Sequence, residues 1–178
     1  NMKRSVFLPF ILAGVLCSCQ NEKPQEAHLR INISNVRSTG ISLSAHSDLK
    51  FVGDSYKQLL VADNEGNVEL VVPITKPGYY FLFRNPVYLT PGDEMTVILD
   101  EDNNKTVFEG KGQEANMYLR RRYYSKGGSF LDAGRNVRPT VEATVMMLDS
   151  MVTQRRAELE ALQGVTREFK DMERMRIK

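Results

Sequence analysis

Two histidines, two cysteines, one acidic run and one glycine-flanked lysine are the groups in this chain whose types could do chemistry. His28 and His46 have no Cys or acidic partner at metal-ligand spacing, and zinc sites draw on three or four protein ligands. No metal site is assigned to them. Asp100, Glu101, Asp102 and Asn103 offer oxygen ligands of the kind calcium takes, yet the run lacks the Gly and terminal Glu of EF-hand spacing. A solvated hairpin turn is expected there. Gly110-Lys111-Gly112 lies between a predicted strand and a predicted helix, as a phosphate loop does, but without a third Gly or a Gly-Lys-Ser/Thr sequence. Its expected role is to turn the chain from sheet to helix. Arg120, Arg121 and Arg122 are consecutive on a predicted helix and so point in different directions, which gives a solvated or domain-contacting face rather than an anion pocket. With no Gly-x-Ser-x-Gly elbow and no Cys and His pair, no catalytic residue and no cofactor is assigned.

The cysteines point to targeting. Lys3 and Arg4 precede an unbroken apolar stretch from Val6 to Leu16, shorter than the about 20 residues that a membrane-spanning helix needs. That is the layout of a signal peptide. Leu16-Cys17-Ser18-Cys19 then reads as a lipobox, with an aliphatic residue, two small residues and a cysteine whose thiol becomes the lipid-bearing thioether. Cleavage is expected between Ser18 and Cys19, with Cys17 leaving in the signal. The other register, modification of Cys17 after Gly14-Val15-Leu16, puts Leu at the cut, where it is a poor residue. The expected product is anchored to the inner or outer membrane through its N-terminal lipid, with the folded part in the periplasm. It retains no free thiol.

Length and charge set further bounds. The 178 residues carry 24 Lys and Arg against 22 Asp and Glu, a formal charge of +2 that suggests neither a nucleic-acid surface nor an acidic substrate. Behind the signal there is room for one domain with a core, or one small domain plus an appendage. Four units are expected: residues 1–18 as signal, 19–26 as a polar tether, 27–110 as an antiparallel β-domain and 111–178 as a helical region. Asn1 precedes the expected initiator Met2, and Arg176-Ile177-Lys178 stops inside a helical pattern without a breaking signal. The sequence is therefore expected to be a piece of a longer reading frame.

The β-domain is legible by its period of two. Leu29, Ile31 and Ile33, then Ile41 and Leu43 across Gly40, suggest a first hairpin, and segments 58–62 and 68–72 flank Asp63-Asn64-Glu65-Gly66-Asn67 as a second. Residues 79–83 form an aromatic run after Pro77-Gly78, and Val87 to Leu89 enters the Thr90-Pro91-Gly92-Asp93 turn. Residues 95–99 and 106–108 complete some eight short strands, which fit a sandwich or small barrel. The period then changes. A helix is predicted from Gln113 to Tyr124, with a break at Lys126-Gly127-Gly128-Ser129. A longer one begins near Pro139, with Val141, Val145, Leu148, Val152, Leu159 and Leu162 as its stripe. Met146, Met147 and Met151 read as core rather than as cofactor contacts. Gly164 interrupts this pattern, which Phe169, Met172 and Ile177 resume. The fold class is a mainly β N-terminal domain followed by an α-helical arm.

The segment from Val87 to Asp100, with its Thr90-Pro91-Gly92-Asp93 turn, is followed by Phe108-Glu109-Gly110-Lys111-Gly112-Gln113-Glu114-Ala115-Asn116-Met117-Tyr118-Leu119. This combination resembles the N-terminal accessory region of Bacteroidota lipoproteins that carry a C-terminal TlpA-type, thioredoxin-like thiol-disulfide oxidoreductase domain. The similarity covers residues 27–125, with the signal and the helices in the family's order. It implies an accessory domain and a thioredoxin-like partner domain. The family's Trp-Cys-x-x-Cys is missing: the chain has no Trp and its two cysteines lie in the signal region, so no redox residue is carried over.

A competing reading is a stand-alone envelope lipoprotein that binds a glycan or peptide through Tyr79, Tyr80, Phe81 and Phe83, some of which alternation would expose. The helical stripe could also pair with a second chain, although Arg155 interrupts it; the oligomeric state is left open.

Overall fold

The computed structural model describes residues 26–45, 56–120, 134 and 136–177. The apolar signal segment, Ser18, Cys19, the tether up to residue 25, His46, Arg121, Arg122 and the expected break at 126–129 lie outside these residues.

Among the described residues, eight strands and three α-helices follow in order: β1 (Glu26–Asn35), β2 (Ser42–Ala45), β3 (Lys57–Leu59), β4 (Asn67–Pro73), β5 (Gly78–Leu82), β6 (Asn85–Leu89), β7 (Glu94–Asp100), β8 (Val107–Lys111), α1 (Gln113–Arg120), α2 (Val141–Ala161) and α3 (Arg167–Arg176). The strands form two four-stranded sheets, ordered β4-β1-β7-β8 and β3-β2-β5-β6. Alternation decides what each buries. Val68, Leu70 and Val72 of β4 and Met95, Val97 and Leu99 of β7 point inward between exposed neighbours. With Ala27, Leu29, Ile31, Leu43, Leu82, Val87, Leu89 and Phe108 they fill the space between the sheets. Each fully buried aliphatic side chain there stabilises the fold by roughly 1.5–3 kcal/mol relative to exposure. The mainly β domain followed by helices is thus the observed architecture.

Both expected hairpins are absent. β1 pairs with β4 and β7, while β2 lies in the other sheet between β3 and β5. The turn at 63–67 forms, with Asp63 Oδ1 accepting from the amides of Glu65 at 2.9 Å and Asn67 at 2.8 Å. It carries the chain from β3 in one sheet to β4 in the other. Period two specifies which face of a strand is buried but not which strand lies beside it. The β1–β7 pairing is also parallel, a departure from the all-antiparallel expectation that needs the long crossover through the second sheet. β5 and β6 do form a hairpin. Phe83 sits in its turn at φ 56, in the left-handed region for a residue other than glycine.

Two of the four sheet edges, those of β6 and β8, are covered by a helix. Asp63 takes the Asn67 amide at the start of β4, and Pro73, which has no N–H, ends that strand. α1 lies across the outer edges of β6 and β8, where Arg120 donates to the Thr106 carbonyl at 2.7 Å. α1 therefore packs on the sheets as well as on the two later helices.

α2 is capped by Thr140, whose hydroxyl accepts from the Ala143 amide at 3.2 Å, so Pro139 precedes the cap instead of occupying the first turn. Thr166 caps α3 in the same way on Phe169. Gly164, at φ 74, reverses the chain between the two helices. Their apolar stripes meet α1 in a second core of Tyr88, Ala115, Tyr118, Leu119, Leu159, Phe169 and Ile177.

Two glycines separate backbone strain from steric exclusion. A Cβ on Gly110, at φ 100, would lie 2.4 Å from the Glu94 carbonyl oxygen, whereas one on Gly40, at φ 73, would meet nothing within 4 Å. Gly40→Ala is expected to cost about 1–2 kcal/mol from left-handed strain alone, and Gly110→Ala clearly more because β7 must also shift. Urea unfolding followed by far-ultraviolet circular dichroism checks the order; equal losses would refute it.

Candidate functional site

The residues that carry the family resemblance converge on one joint, where β6, the turn before β7, the end of β8 and the start of α1 meet. In the turn, Asp93 is 2% exposed. Its carboxylate accepts from the Thr90 amide at 2.7 Å and the Thr90 hydroxyl at 2.6 Å. Backbone bonds tie the same turn to β1, from the Gly92 amide to the Glu26 carbonyl and from the His28 amide to the Asp93 carbonyl, both at 2.8 Å. Gly112, at φ 100, crosses directly over this carboxylate: a Cβ there would stand 2.9 Å from Asp93 Oδ2. Gln113 at the start of α1 accepts from the Gly110 amide at 3.0 Å.

Asn116 closes the joint from inside α1 and is fully buried. Its Oδ1 accepts from the Tyr88 amide at 2.8 Å, and its Nδ2 donates to the Tyr88 carbonyl at 2.9 Å and the Gly112 carbonyl at 2.9 Å. One side-chain amide thus imitates a neighbouring strand at the free edge of β6. The outward-facing Tyr88 ring packs on Tyr79 at 5.1 Å and on Phe169 at 4.9 Å, and Phe169 meets Tyr118 at 6.0 Å. The Tyr79 hydroxyl donates to Glu173 at 2.6 Å, and Arg176 both binds Glu173 at 2.7 Å and lies 4.5 Å over the Tyr79 ring.

The electrostatics are those of a structural joint. Burial pushes the Tyr88 phenol up to about 12, and it holds Tyr79 well above the usual range with help from the Glu173 charge. Both phenols are protonated near neutrality and cannot act as bases there. Burial likewise raises the Asp93 carboxyl, against the lowering pull of the Thr90 hydrogen bonds and of Lys111. A cleft of about 150 Å³ adjoins Asp93, Lys111, Tyr88 and Thr166.

The other sequence candidates are dispersed. His28 is exposed on the outer face of the first sheet, 3.7 Å from Glu26. Among the described residues no three His, Cys, Asp or Glu side chains converge as metal ligands. The acidic run folds onto backbone: Asp100 accepts from the Asp102 amide, Asp102 from the Asn104 amide, and Glu101 from the amides of Arg37 and Ser38. Those backbone bonds hold Glu101 below its usual range. None of the aromatic-strand residues is fully exposed: Tyr79 faces the helices, Tyr80 and Phe83 pack on the inter-sheet core, and Phe81 is half-buried. The helical stripe is used within the chain only from Leu148 onward: Leu148, Val152, Leu159 and Leu162 join the helix-side core, whereas Val141 and Val145 are exposed. Arg155 is 3% exposed and stacks 3.6 Å over the Tyr118 ring, while Met146 is 73% exposed. No described helix is long and apolar enough to cross a membrane.

Sequence reading placed Asn116 in a motif without seeing its role. The available signal was an Asn, a poor helix former, between the apolar Ala115 and Met117 of a short helix. Comparison of the chain with protein-family models, with characterised proteins and with solved structures finds no match.

Asn116→Ala leaves the buried amide and carbonyl of Tyr88 without partners and is expected to cost about 2–4 kcal/mol in urea unfolding. A loss under about 1 kcal/mol would show that the bridge is dispensable. Asp93 supplies a pH test. Its raised folded value means that its contribution is present below the ordinary Asp range and is lost as pH rises through that folded value. The stability difference between wild type and Asp93→Asn should therefore move in favour of the variant between pH 3.5 and pH 7 (roughly spanning the carboxylate range). A difference that does not change with pH would refute this assignment.

Proposed function

We propose that this chain is the non-catalytic accessory domain of an envelope lipoprotein, held to a membrane by lipid on Cys19. It would serve a thioredoxin-like thiol-disulfide oxidoreductase domain that these residues do not contain. What supports the reading is the joint around Asn116. The residues that resemble the accessory region are those that fix sheet against helix: Asp93 under Gly112, Gly110 against Glu94, and Asn116 on Tyr88. The likeness therefore rests on positions that specify an architecture rather than on a scatter of common turns.

The chemistry of the chain agrees with a supporting role. Its two cysteines both precede residue 20, and lipidation of Cys19 consumes the one that remains after cleavage. The disulfide exchange characteristic of the family needs a thiolate, so residues 20–178 could contribute position only. Two sheets packed face to face and joined by α1 along the edges of β6 and β8 form a body suited to holding a neighbouring domain at a distance from the membrane.

Sequencing the coding region beyond the Lys178 codon tests the accessory reading. A continuation that carries Cys-x-x-Cys in a thioredoxin-like domain is expected; an immediate stop codon, or a continuation without that pair, would overturn it. The anchor is tested separately by metabolic labelling with a fatty acid in the native host. Label should enter the wild type and be lost in Cys19→Ala, and a Cys19→Ala chain that keeps its label would refute lipidation at this residue.

A further inference from the structure

The second sheet has two unlike faces at β5 and β6. Tyr80, Leu82, Val87 and Leu89 pack on the inter-sheet core, whereas Tyr79 and Tyr88 turn outward to the helices. The inter-sheet core and the helix-side core share no residue. α1 is held to the sheets by Asn116 and Arg120 without help from α2 or α3. Among the described residues, no backbone hydrogen bond joins residues 134–177 to the strands or to α1. The α2–α3 hairpin is therefore docked by side chains. Phe169, Leu159 and Ile177 are fully buried in that contact, with a clasp in which Glu173 receives both the Tyr79 hydroxyl and Arg176.

We propose that the α2–α3 hairpin is a separately opening cover over the aromatic face of β5 and β6, held shut by the Tyr79, Glu173 and Arg176 clasp. Opening leaves every residue of the inter-sheet core in place and presents the rings of Tyr79, Tyr88 and Tyr118 to solvent. Two features lower its cost. Glu173 and Arg155, each 3% exposed, regain water when the hairpin leaves, and hydration of a buried charge offsets part of the apolar contact that is lost. The docking also contains no sheet ladder, so no strand has to be unzipped. The opening is sub-global in the sense that one cooperative unit leaves while another stays folded.

Native-state hydrogen exchange on the full chain in low urea tests this. Amides of α2 and α3 are expected to exchange through an opening at least about tenfold more frequent than that of β1, β4 and β7. Glu173→Gln should accelerate exchange in α2 and α3 while leaving the three strands unchanged. Tyr79→Phe, which removes only the hydroxyl, should give the same selective pattern and serves if Glu173→Gln does not fold. Exchange of helices and strands through one common opening in the wild type would overturn the proposal. So would acceleration of the strands equal to that of the helices, or no acceleration of α3 in a folded variant.

Discussion

A strand at the end of a sheet presents backbone groups that must find partners, and in this molecule a single side-chain amide meets that demand at the most consequential edge. Asn116 bonds both polar groups of Tyr88 and ties them to Gly112. Were β6 left open, its amides would be a template for another chain, and burying them unpaired beneath α1 would be costly. The bond set therefore allows α1 to lie on β6, and α1 in turn supplies Ala115, Tyr118 and Leu119 as the floor on which α2 and α3 rest. This contact joins α1 to the sandwich and so gives the α2–α3 hairpin a surface to dock on.

The rest of the joint follows from the same geometry. For Asn116 to reach Tyr88, the chain leaving β8 must turn sharply and pass over the Asp93 carboxylate, where a side chain would collide. Gly110 and Gly112 fill that requirement at φ 100. Asp93 stays buried because Thr90 satisfies both of its oxygens, and the turn it closes is bonded to the first residues of β1. The glycine-flanked lysine that superficially suggested a phosphate loop is a passage between carbonyl and carboxylate, a poor environment for an anion.

How much of this was legible depended on the range of the interaction. Inward residues of β4 and β7, the Asp63 to Asn67 turn and the breaks around Gly164 are local facts, written in alternation and in residues that tolerate positive φ. Partners were not legible. Leu29, Ile31 and Ile33 show that β1 has a buried face, but nothing in them says that Val68 and Val97 rather than Leu43 lie alongside. Arg155 was misleading for a related reason: a charge inside an apolar stripe looks like an interruption until Tyr118, from another helix, supplies a ring for it to stack on. The site was half visible, since its motif stood out but the bonds that explain it join residues 28 positions apart.

The central place of β1 has a consequence for the order in which the chain can become ordered. Its two neighbours come from well downstream, with Leu29 opposite Leu70 on one side and Met95 on the other. During synthesis β1 therefore finds its first neighbour only when β4 has emerged and its second only when β7 has followed, and such non-local closure is intrinsically slow. The sheet that contains β1 is closed only by β8, after the last strand of the other sheet, so one edge of β1 stays open to aggregation or to capture by a chaperone until β7 arrives.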